Sequence, residues 1–162
     1  MQKITFILLV LLTGTVFGQN SADVTVGADI VSPIVVTATT PMNFGKVSNG
    51  ATGTHVLNTN DSASGLVNLG NATPTSGGFT VNAADGYVYT VSFETSSILL
   101  KNSADETKTM TVDTFTTFPD ISETLTGNAS DQEYKVGATL HVTAGQATGT
   151  YTGTIKVTAN YN

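Results

Sequence analysis

The sequence contains two histidines, His55 and His141, the residue type most often used as a general base or a transition-metal ligand. Cys is absent, and the histidines are not spaced as a His-x-His or His-x-x-x-His pair that would place both on one metal ion. Neither has an orienting carboxylate at a recognisable spacing, and no Gly-x-Ser-x-Gly motif supplies a nucleophile. Because His141 falls on the polar parity of a predicted strand, we predict that both histidines are solvated surface residues without a catalytic role.

Calcium binding needs only several oxygen atoms on a bent loop, and one polar loop offers them. Its oxygen-bearing residues are Asn58, Asn60, Asp61, Ser62 and Ser64. The sixth position of this loop is Ala63 and the twelfth is Leu69, whereas an EF-hand requires Gly and Glu at these places. The EF-hand motif therefore fails, and we predict no metal site from it.

Other acidic residues leave further alternatives open. Asp131 with Glu133, or Asp105 with Glu106, could contribute to a looser cation site, although solvated charge that blunts sheet edges is the better supported interpretation. Carboxylates for glycoside hydrolysis are recognised by their distance in space, so spacing along the chain does not test them. The absence of Trp and Arg nevertheless argues against a sugar-cleaving cleft. We predict a protein without enzymatic activity and without a cofactor.

Three aromatic residues, Tyr87, Tyr89 and Phe93, share one parity of a predicted strand and could form a stacking platform for a sugar. A single-parity aromatic row in a β-sandwich more often belongs to the core, and we prefer that interpretation. Triplets that resemble glycan attachment sites indicate exposed loops only. They begin at Asn60, Asn71, Asn128 and, for an Asp-Ser-Ala triplet, Asp61.

The elements that would hold these residues are β-strands. Charged residues make up only 11% of the chain, and β-branched residues are abundant, which favours strands over helices. The clearest period-two alternation closes the chain, with its apolar positions at Tyr151, Ile155, Val157, Ala159 and Tyr161. A second run has its inward positions at Val136, Ala138, Leu140 and Val142. Eight to ten short strands of this kind predict an all-β, antiparallel, immunoglobulin-like or pilin-like sandwich.

The predicted first strand runs from Ala22 to Ile30, and its apolar residues alternate with Asp, Thr and Gly. Pro33 interrupts the pattern because it cannot donate to a ladder, and an extended run resumes from Ile34 to Thr39. The first strand could pair within its own sandwich or add to an exposed edge of another molecule, and we prefer the first arrangement.

Two features are predicted in the middle of the chain. Phe79 and Val81 precede a turn at Ala84-Asp85-Gly86, and the alternating run from Tyr87 to Phe93 follows it, which predicts a β-hairpin. The stretch from Thr116 to Asp131 is the least regular part of the pattern, and we interpret it as a variable loop.

The first 18 residues have the features of a cleaved export signal. Lys3 precedes an apolar run from Ile4 to Leu12, and Gly18 is a small residue at a suitable cleavage position. The apolar run is shorter than the roughly 20 residues that a membrane-spanning helix needs. We predict cleavage after Gly18, a single sandwich domain over residues 19–162 without a membrane span, and a secreted or cell-surface location, periplasmic or extracellular.

The net charge limits the classes of binding partner, and the absence of Cys limits what can stabilise the fold. A formal net charge of −6 and the lack of Arg disfavour nucleic acids and anionic membranes, because both are bound through clustered basic residues. Without Cys the fold must be stable through packing and backbone pairing alone.

Seven segments in a fixed order carry a family resemblance. They are Pro33-Ile34, Met42 to Gly45, Phe79 to Val81, Tyr87 to Val91, Met110 to Phe115, Val136 to Leu140 and Gly149 to Thr154. Together they look like the secreted bacterial family known as domain of unknown function 4402. The resemblance implies an exported protein of immunoglobulin-like or pilin-like β character with a structural, fimbria-like or adhesive role. The C-terminal strand also resembles, more distantly, that of chaperone-usher pilins, although the two cysteines that many pilins use are missing.

Two hypotheses for the function follow. The first is an exported structural or adhesive surface protein, such as a fimbria-like subunit, whose strand edges meet copies of itself or other surface subunits. The alternative is an extracellular binding module whose loops hold a glycan or a divalent cation. An enzyme is disfavoured because the catalytic constellations considered above are missing.

Overall fold

The computed structural model describes residues 18, 20–70 and 72–162 and divides the chain into two compact units. The first unit ends at Ile30, and the second covers Val31–Asn162. Apart from Gly18, the predicted signal peptide lies outside the described residues, as do Gln19 and Asn71. The described residues contain no helix with the length and apolar character that a membrane crossing requires.

The end of the first unit corrects one prediction. Residues 20–30 form no strand, so the paired first strand expected from Ala22 to Ile30 is not present. Every side chain from Ser21 to Ile30 is exposed, including those of Val24 and Val26. The prediction was wrong because alternation specifies a face that can be buried but does not provide a neighbouring strand that buries it.

The second unit is built from strands, and the residues described there contain no helix, which confirms the all-β prediction. The strands are β1 Val35–Thr40, β2 Gly53–Leu57, β3 Ala63–Gly65, β4 Gly77–Asn82, β5 Val88–Phe93, β6 Ser97–Asn102, β7 Thr109–Phe118, β8 Leu125–Thr126, β9 Asp131–Val142, β10 Tyr151–Thr152 and β11 Val157–Tyr161. All the ladders between them are antiparallel.

The strands form two sheets. The first has the order β1-β4-β9-β7-β6-β10, and β2 also pairs with β9 and with β3. The second has the order β11-β5-β8. β9 organises the first sheet, because one edge pairs with β4 along its first half and with β2 along its second half, while the other edge pairs with β7.

The hairpin predicted between Phe79 and Phe93 is not formed. β4 pairs with β1 and β9, whereas β5 pairs with β11 and β8 in the other sheet. The turn at Gly86, where φ is 76°, therefore carries the chain between sheets. The buried side chains of β4 and β5 belong to one cluster, to which both sheets therefore contribute.

Buried apolar side chains form two clusters. The closed cluster consists of Phe79, Val81, Ala83, Tyr89, Val91, Tyr134 and Val136. The open cluster has the buried residues Val112, Ala138, Leu140 and Val142. It is surrounded by the half-buried residues Met42, Phe44, Val47, Leu66, Ile98, Leu100, Met110 and Phe115. β9 contributes to both clusters, and the inward parity predicted for it is confirmed.

The C-terminal strand predicted from the alternation is divided between the sheets. β10 pairs with β6 in the first sheet, and β11 pairs with β5 in the second. Between them the chain passes close to β6, since a Cβ atom at Gly153 would lie 2.8 Å from Leu100 Cδ2 and 3.0 Å from the Leu99 carbonyl oxygen. A residue without a side chain is therefore required where the last strand changes sheets.

Candidate functional site

An apolar groove of about 980 Å³ lies over the open cluster and also reaches Phe79 and Val136 of the closed cluster. Its floor includes Ile98, Leu100, Met110, Val112, Leu140 and Val142. One wall is formed by the end of β1 and residues 41–49, and the other by residues 146–155 together with Val157. The groove is therefore bounded by the first and last parts of the second unit.

Each wall of the groove has an unpaired backbone edge. β1 ends the first sheet on one side and pairs only with β4, while β10 ends it on the other side and pairs only with β6. β11 is an end strand of the second sheet. In the described part of the chain no ladder joins β1 to β10 or to β11. An apolar floor between two open edges has the chemistry to accept an additional β-strand.

The first wall is held against the strand that leads into β4, because the bridge between Asn43 and Thr75 continues the antiparallel pairing of β1 with β4. Asn43 and Thr75 exchange two backbone hydrogen bonds of 2.8 Å, and Asn43 Oδ1 accepts from the Gly45 amide at 2.8 Å. Gly45 adopts a φ of 81°, which a residue with a side chain rarely adopts. The turn leaves Met42 and Phe44 half-buried at the rim of the open cluster.

The second wall is fixed by a network of polar side chains. Asn102, which is 2% exposed, donates from Nδ2 to the Thr148 carbonyl at 3.2 Å and accepts the Ala104 amide on Oδ1 at 2.8 Å. Tyr151 Oη donates to the Ala147 carbonyl at 2.8 Å and lies 2.9 Å from Gln146 Nε2. The wall is consequently preorganised. Sequence reasoning missed Asn102, because the bond that ties it to the wall goes to Thr148, 46 residues further along the chain.

The structure corrects the prediction that His55 is solvated. The side chain is only 1% exposed, and its Nδ1 lies 3.0 Å from the Leu66 carbonyl oxygen. Its Nε2 has no hydrogen-bond partner among the described residues. The ring packs 6.4 Å from that of Phe44, between centroids, so His55 supports the groove wall from beneath.

His141 is exposed, as predicted, but it has a carboxylate partner that sequence spacing did not reveal. Its Nε2 lies 2.9 Å from Asp113 Oδ1, across the ladder between β9 and β7. The hydrogen bond from His141 is the main reason why the pKa of Asp113 is lowered from its usual value. Diagonal neighbours on paired strands meet in space at separations that the sequence does not show.

The oxygen-rich loop considered for calcium uses its oxygens in its own turn. Ser62 donates from its amide and its hydroxyl to Asn60 Oδ1, and Asn58 Nδ2 donates to Ser62 Oγ at 2.9 Å. Asp61, with a φ of 64°, accepts two hydrogen bonds of 2.7 Å from Ser76, which lower the pKa of Asp61. In the described residues no cluster of three or more His, Cys, Asp or Glu could hold a metal ion.

The other acidic candidates lie in separate local contacts. Asp105 accepts from Thr107, Glu106 pairs with Lys101 at 3.1 Å, and Asp131 accepts from Asn82 at 2.8 Å. Glu133 is exposed on β9. The structure therefore does not bring the pairs considered in the sequence together into one site.

The aromatic row is divided between core and surface. Tyr89 is fully buried, as the core interpretation predicts, and its hydroxyl lies 2.8 Å from both Tyr134 Oη and Gln132 Oε1. Its burial is the first cause of a raised pKa. Phe93 is half-buried, and Tyr87 is 44% exposed with its ring edge-on to Tyr161. Asn60 and Asn128, which begin two of the triplets, are exposed as predicted.

One protein-family model matches most of this chain. The sequence model described as "Domain of unknown function (DUF4402)" matches residues 34–161. This span includes both clusters and both walls of the groove, and it begins after Ile30. No curated protein matched the chain, and no solved structure did.

Proposed function

The chain belongs to the family described as domain of unknown function (DUF4402), and from that premise we propose that it is an exported structural or adhesive surface protein. In this proposal it acts as a fimbria-like subunit that associates with copies of itself or with other surface subunits through strand edges. It performs no catalysis, and its location is the cell surface or the extracellular medium.

The observation that carries this proposal is the groove with an unpaired edge on each side. Folded proteins normally cover large apolar surfaces and protect the end strands of their sheets, because both promote association. Here the half-buried side chains of Met42, Phe44 and Leu100 surround an apolar floor, while β1 and β10 leave their outer edges free of ladders in the described residues. A subunit whose partner completes its fold would have these features.

The test is the association state of the mature protein. We expect the purified chain from Gln19 onward to form oligomers whose size rises with concentration in size-exclusion chromatography, and filaments visible by negative-stain electron microscopy. Matched samples incubated in urea and refolded by dilution show whether assembly depends on the folded state. A protein that stays monomeric and forms no filaments at any concentration would contradict the proposal.

A further inference from the structure

A second cleft, of about 660 Å³, lies where the chain passes from the second sheet to the first, and we call it the sheet-junction cleft. β5 ends at Phe93 and β6 begins at Ser97, so residues 94–96 cross between the sheets. Ser97 pairs with Asp113 of β7, which brings this crossing beside the middle of β7. The lining consists of Phe93, residues 95–97 and residues 113–115, of which Phe115 also lines the groove.

One side of the cleft has a strained backbone. The ladder between β7 and β9 pairs Asp113 with Thr139, and its next pair joins Thr116 to Gly137. Because β7 advances by three residues while β9 advances by two, β7 contains a bulge there. Thr114 lies in the bulge with a φ of 49°, which a β-branched residue rarely adopts and Gly adopts freely. Such strain and such bulges are common at sites that hold a ligand.

The bulge presents a carboxylate with a free oxygen to the cleft. Asp113 Oδ1 accepts hydrogen bonds from Thr114 Oγ1 at 3.0 Å and from His141 Nε2 at 2.9 Å. Both contacts use the same oxygen, and Oδ2 accepts no hydrogen bond from the residues that the structure describes. The side chain of Asp113 is 33% exposed, so Oδ2 is available to a ligand. A carboxylate oxygen is a strong acceptor for a hydroxyl group.

The rest of the lining supplies hydroxyl groups and aromatic rings. Thr95, Ser96 and Ser97 are exposed, and each hydroxyl can both donate and accept a hydrogen bond. Phe93 and Phe115 are half-buried, with ring centroids 5.2 Å apart, so part of each ring remains free to contact apolar C–H groups. Hydroxyl groups beside C–H faces are the two surfaces that a sugar ring offers.

Charge narrows the class of ligand further. Among the described residues of the lining none is Lys or Arg, and Asp113 is negative, which disfavours an anionic ligand. A calcium ion usually binds several carboxylate oxygens from different residues, whereas the described lining contains the carboxylate of Asp113 alone. A neutral ligand rich in hydroxyl groups fits the lining best.

We propose that the sheet-junction cleft binds a neutral pyranose of a glycan. A sugar hydroxyl donates to Asp113 Oδ2, the hydroxyls of Thr114 and Ser97 bond to neighbouring sugar oxygens, and the C–H face of the ring contacts Phe93. The inference rests on the proposed adhesive role, for which it supplies the class of ligand, and it requires no association between subunits.

The first experiment measures binding of single sugars to the chain from Gln19 onward. The probes are the methyl glycosides of glucose, galactose, mannose and N-acetylglucosamine, titrated by saturation-transfer difference NMR, which works for monomers and polymers alike. We expect saturable binding of at least one glycoside, with a dissociation constant on the order of 1 mM for so small a ligand. Absence of saturable binding for all four would overturn the inference.

The second experiment locates the site with a matched pair of variants. Asp113→Asn removes the charged acceptor and should weaken binding of that glycoside about tenfold or more. Asp105→Asn is the control, because Asp105 also accepts two hydrogen bonds from a neighbouring Thr and has a lowered pKa but lies outside the lining. The control should bind within about twofold of the wild type. Equal affinities of the two variants would refute the cleft as the site.

Thr114→Gly distinguishes a binding role of the bulge from a structural one. Glycine adopts a φ of 49° without strain, so the unfolding midpoint should rise or stay the same. Binding should nevertheless weaken about fivefold, because the hydroxyl that contacts the sugar is gone. A variant that binds the glycoside as tightly as the wild type would contradict the proposed contact.

The class of ligand is tested with galacturonic acid, which carries a carboxylate on a pyranose ring. We expect it to bind at least about tenfold more weakly than methyl galactoside, because its charge has the same sign as that of Asp113. Tighter binding of the acid than of the neutral glycoside would overturn the inference.

The outcomes also separate this inference from the proposed function. If the chain assembles into filaments but binds none of the four glycosides, the subunit proposal stands and the inference fails. If a glycoside binds in the cleft while the chain never associates, the inference stands and the proposal of a self-associating subunit fails.

Discussion

The closed and open clusters are built on the same central strand but differ in what covers them. Tyr134 and Val136 from the first half of β9 pack against Tyr89 and Val91 of the second sheet, and all four are 5% exposed or less. Leu140, from the second half of β9, faces half-buried side chains and the groove. The comparison shows that one strand can supply a core enclosed between two sheets along one half and a core that borders a groove along the other.

Removing the C-terminal strand should have the largest effect on this arrangement. Deletion of Tyr151–Asn162 removes β10 and β11, and with them Val157, Ala159 and Tyr161, which pack on the closed cluster. These side chains are half-buried, so each contributes less than the roughly 1.5–3 kcal/mol of a fully buried large apolar side chain. The ladder between β11 and β5 is lost with them, which is a large loss against a total stability of about 5–15 kcal/mol. We expect cooperative thermal unfolding, followed by circular dichroism, to disappear.

Deletion of residues 20–30 is the control for that truncation. These residues form no strand and bury no side chain in the structure, so the unfolding midpoint of the monomer should stay within error of the wild type. A C-terminal truncation that melts like the full chain would show that the closed cluster does not need β11.

The next largest effect is expected at Tyr89, in the centre of the closed cluster. Tyr89→Ala removes a fully buried ring and should lower the free energy of unfolding by about 3–5 kcal/mol. Tyr89→Phe keeps the ring and loses only the hydroxyl bonded to Tyr134 and Gln132, with an expected cost of about 1 kcal/mol. Urea denaturation of both variants measures the difference, and equal losses would mean that the polar contact dominates.

A smaller effect on the free energy of unfolding is expected when the same substitution, Val to Ala, is made in each of the two clusters. Val81 in the closed cluster is fully buried, whereas Val47 is half-buried at the groove rim. Val81→Ala should cost about 2 kcal/mol in urea unfolding, and Val47→Ala less than about 1 kcal/mol. The reverse ranking of stabilities would contradict the distinction between the clusters.

The smallest expected effect is on the stability of the folded protein at low pH, and it arises beside the open cluster. Asp113 follows Val112 of the open cluster, and the hydrogen bond from His141 lowers the pKa of Asp113 in the folded state. The folded protein therefore releases this proton more readily than the unfolded chain. The contribution to stability is complete above the unfolded pKa of about 3.9 and is lost as the pH falls through the lower folded value.

Asp113→Asn tests this contribution. The variant should show a weaker dependence of the unfolding midpoint on pH below about pH 4 than the wild type. At neutral pH its midpoint should be slightly lower, because the charged hydrogen bond is gone. Identical pH profiles for the two proteins would exclude a role for the pair.

The sequence patterns predicted correctly which face of a strand is apolar, but they were less successful in predicting which strands pair with each other. The inward positions of β9 and the core position of Tyr89 were predicted correctly, because alternation reports which side of a strand is apolar. The hairpin across Gly86 was wrong because the same pattern and turn also suit a chain that crosses between sheets. The first strand was wrong for a related reason, since its pattern fits a partner that the described residues do not provide.

The candidate site could not be predicted from the sequence. The groove depends on where β1 and β10 end in the sheet order, and no local pattern encodes that order. His55 illustrates the same limit, because it is buried and its contacts are with Leu66 and Phe44, which lie in other segments of the chain. The contact between His141 and Asp113 likewise depends on the register of β7 and β9.

The hydroxyl of Tyr161 links segments of the second unit that are far apart in the sequence. It lies 3.0 Å from the Ser32 carbonyl oxygen and accepts the Ala84 amide at 2.8 Å, so it joins the start of the domain to its end. A pulling force applied beside Ser32 would load the ladder from Val35 to Thr40 in shear along β4, so that its bonds resist tension together instead of opening one after another.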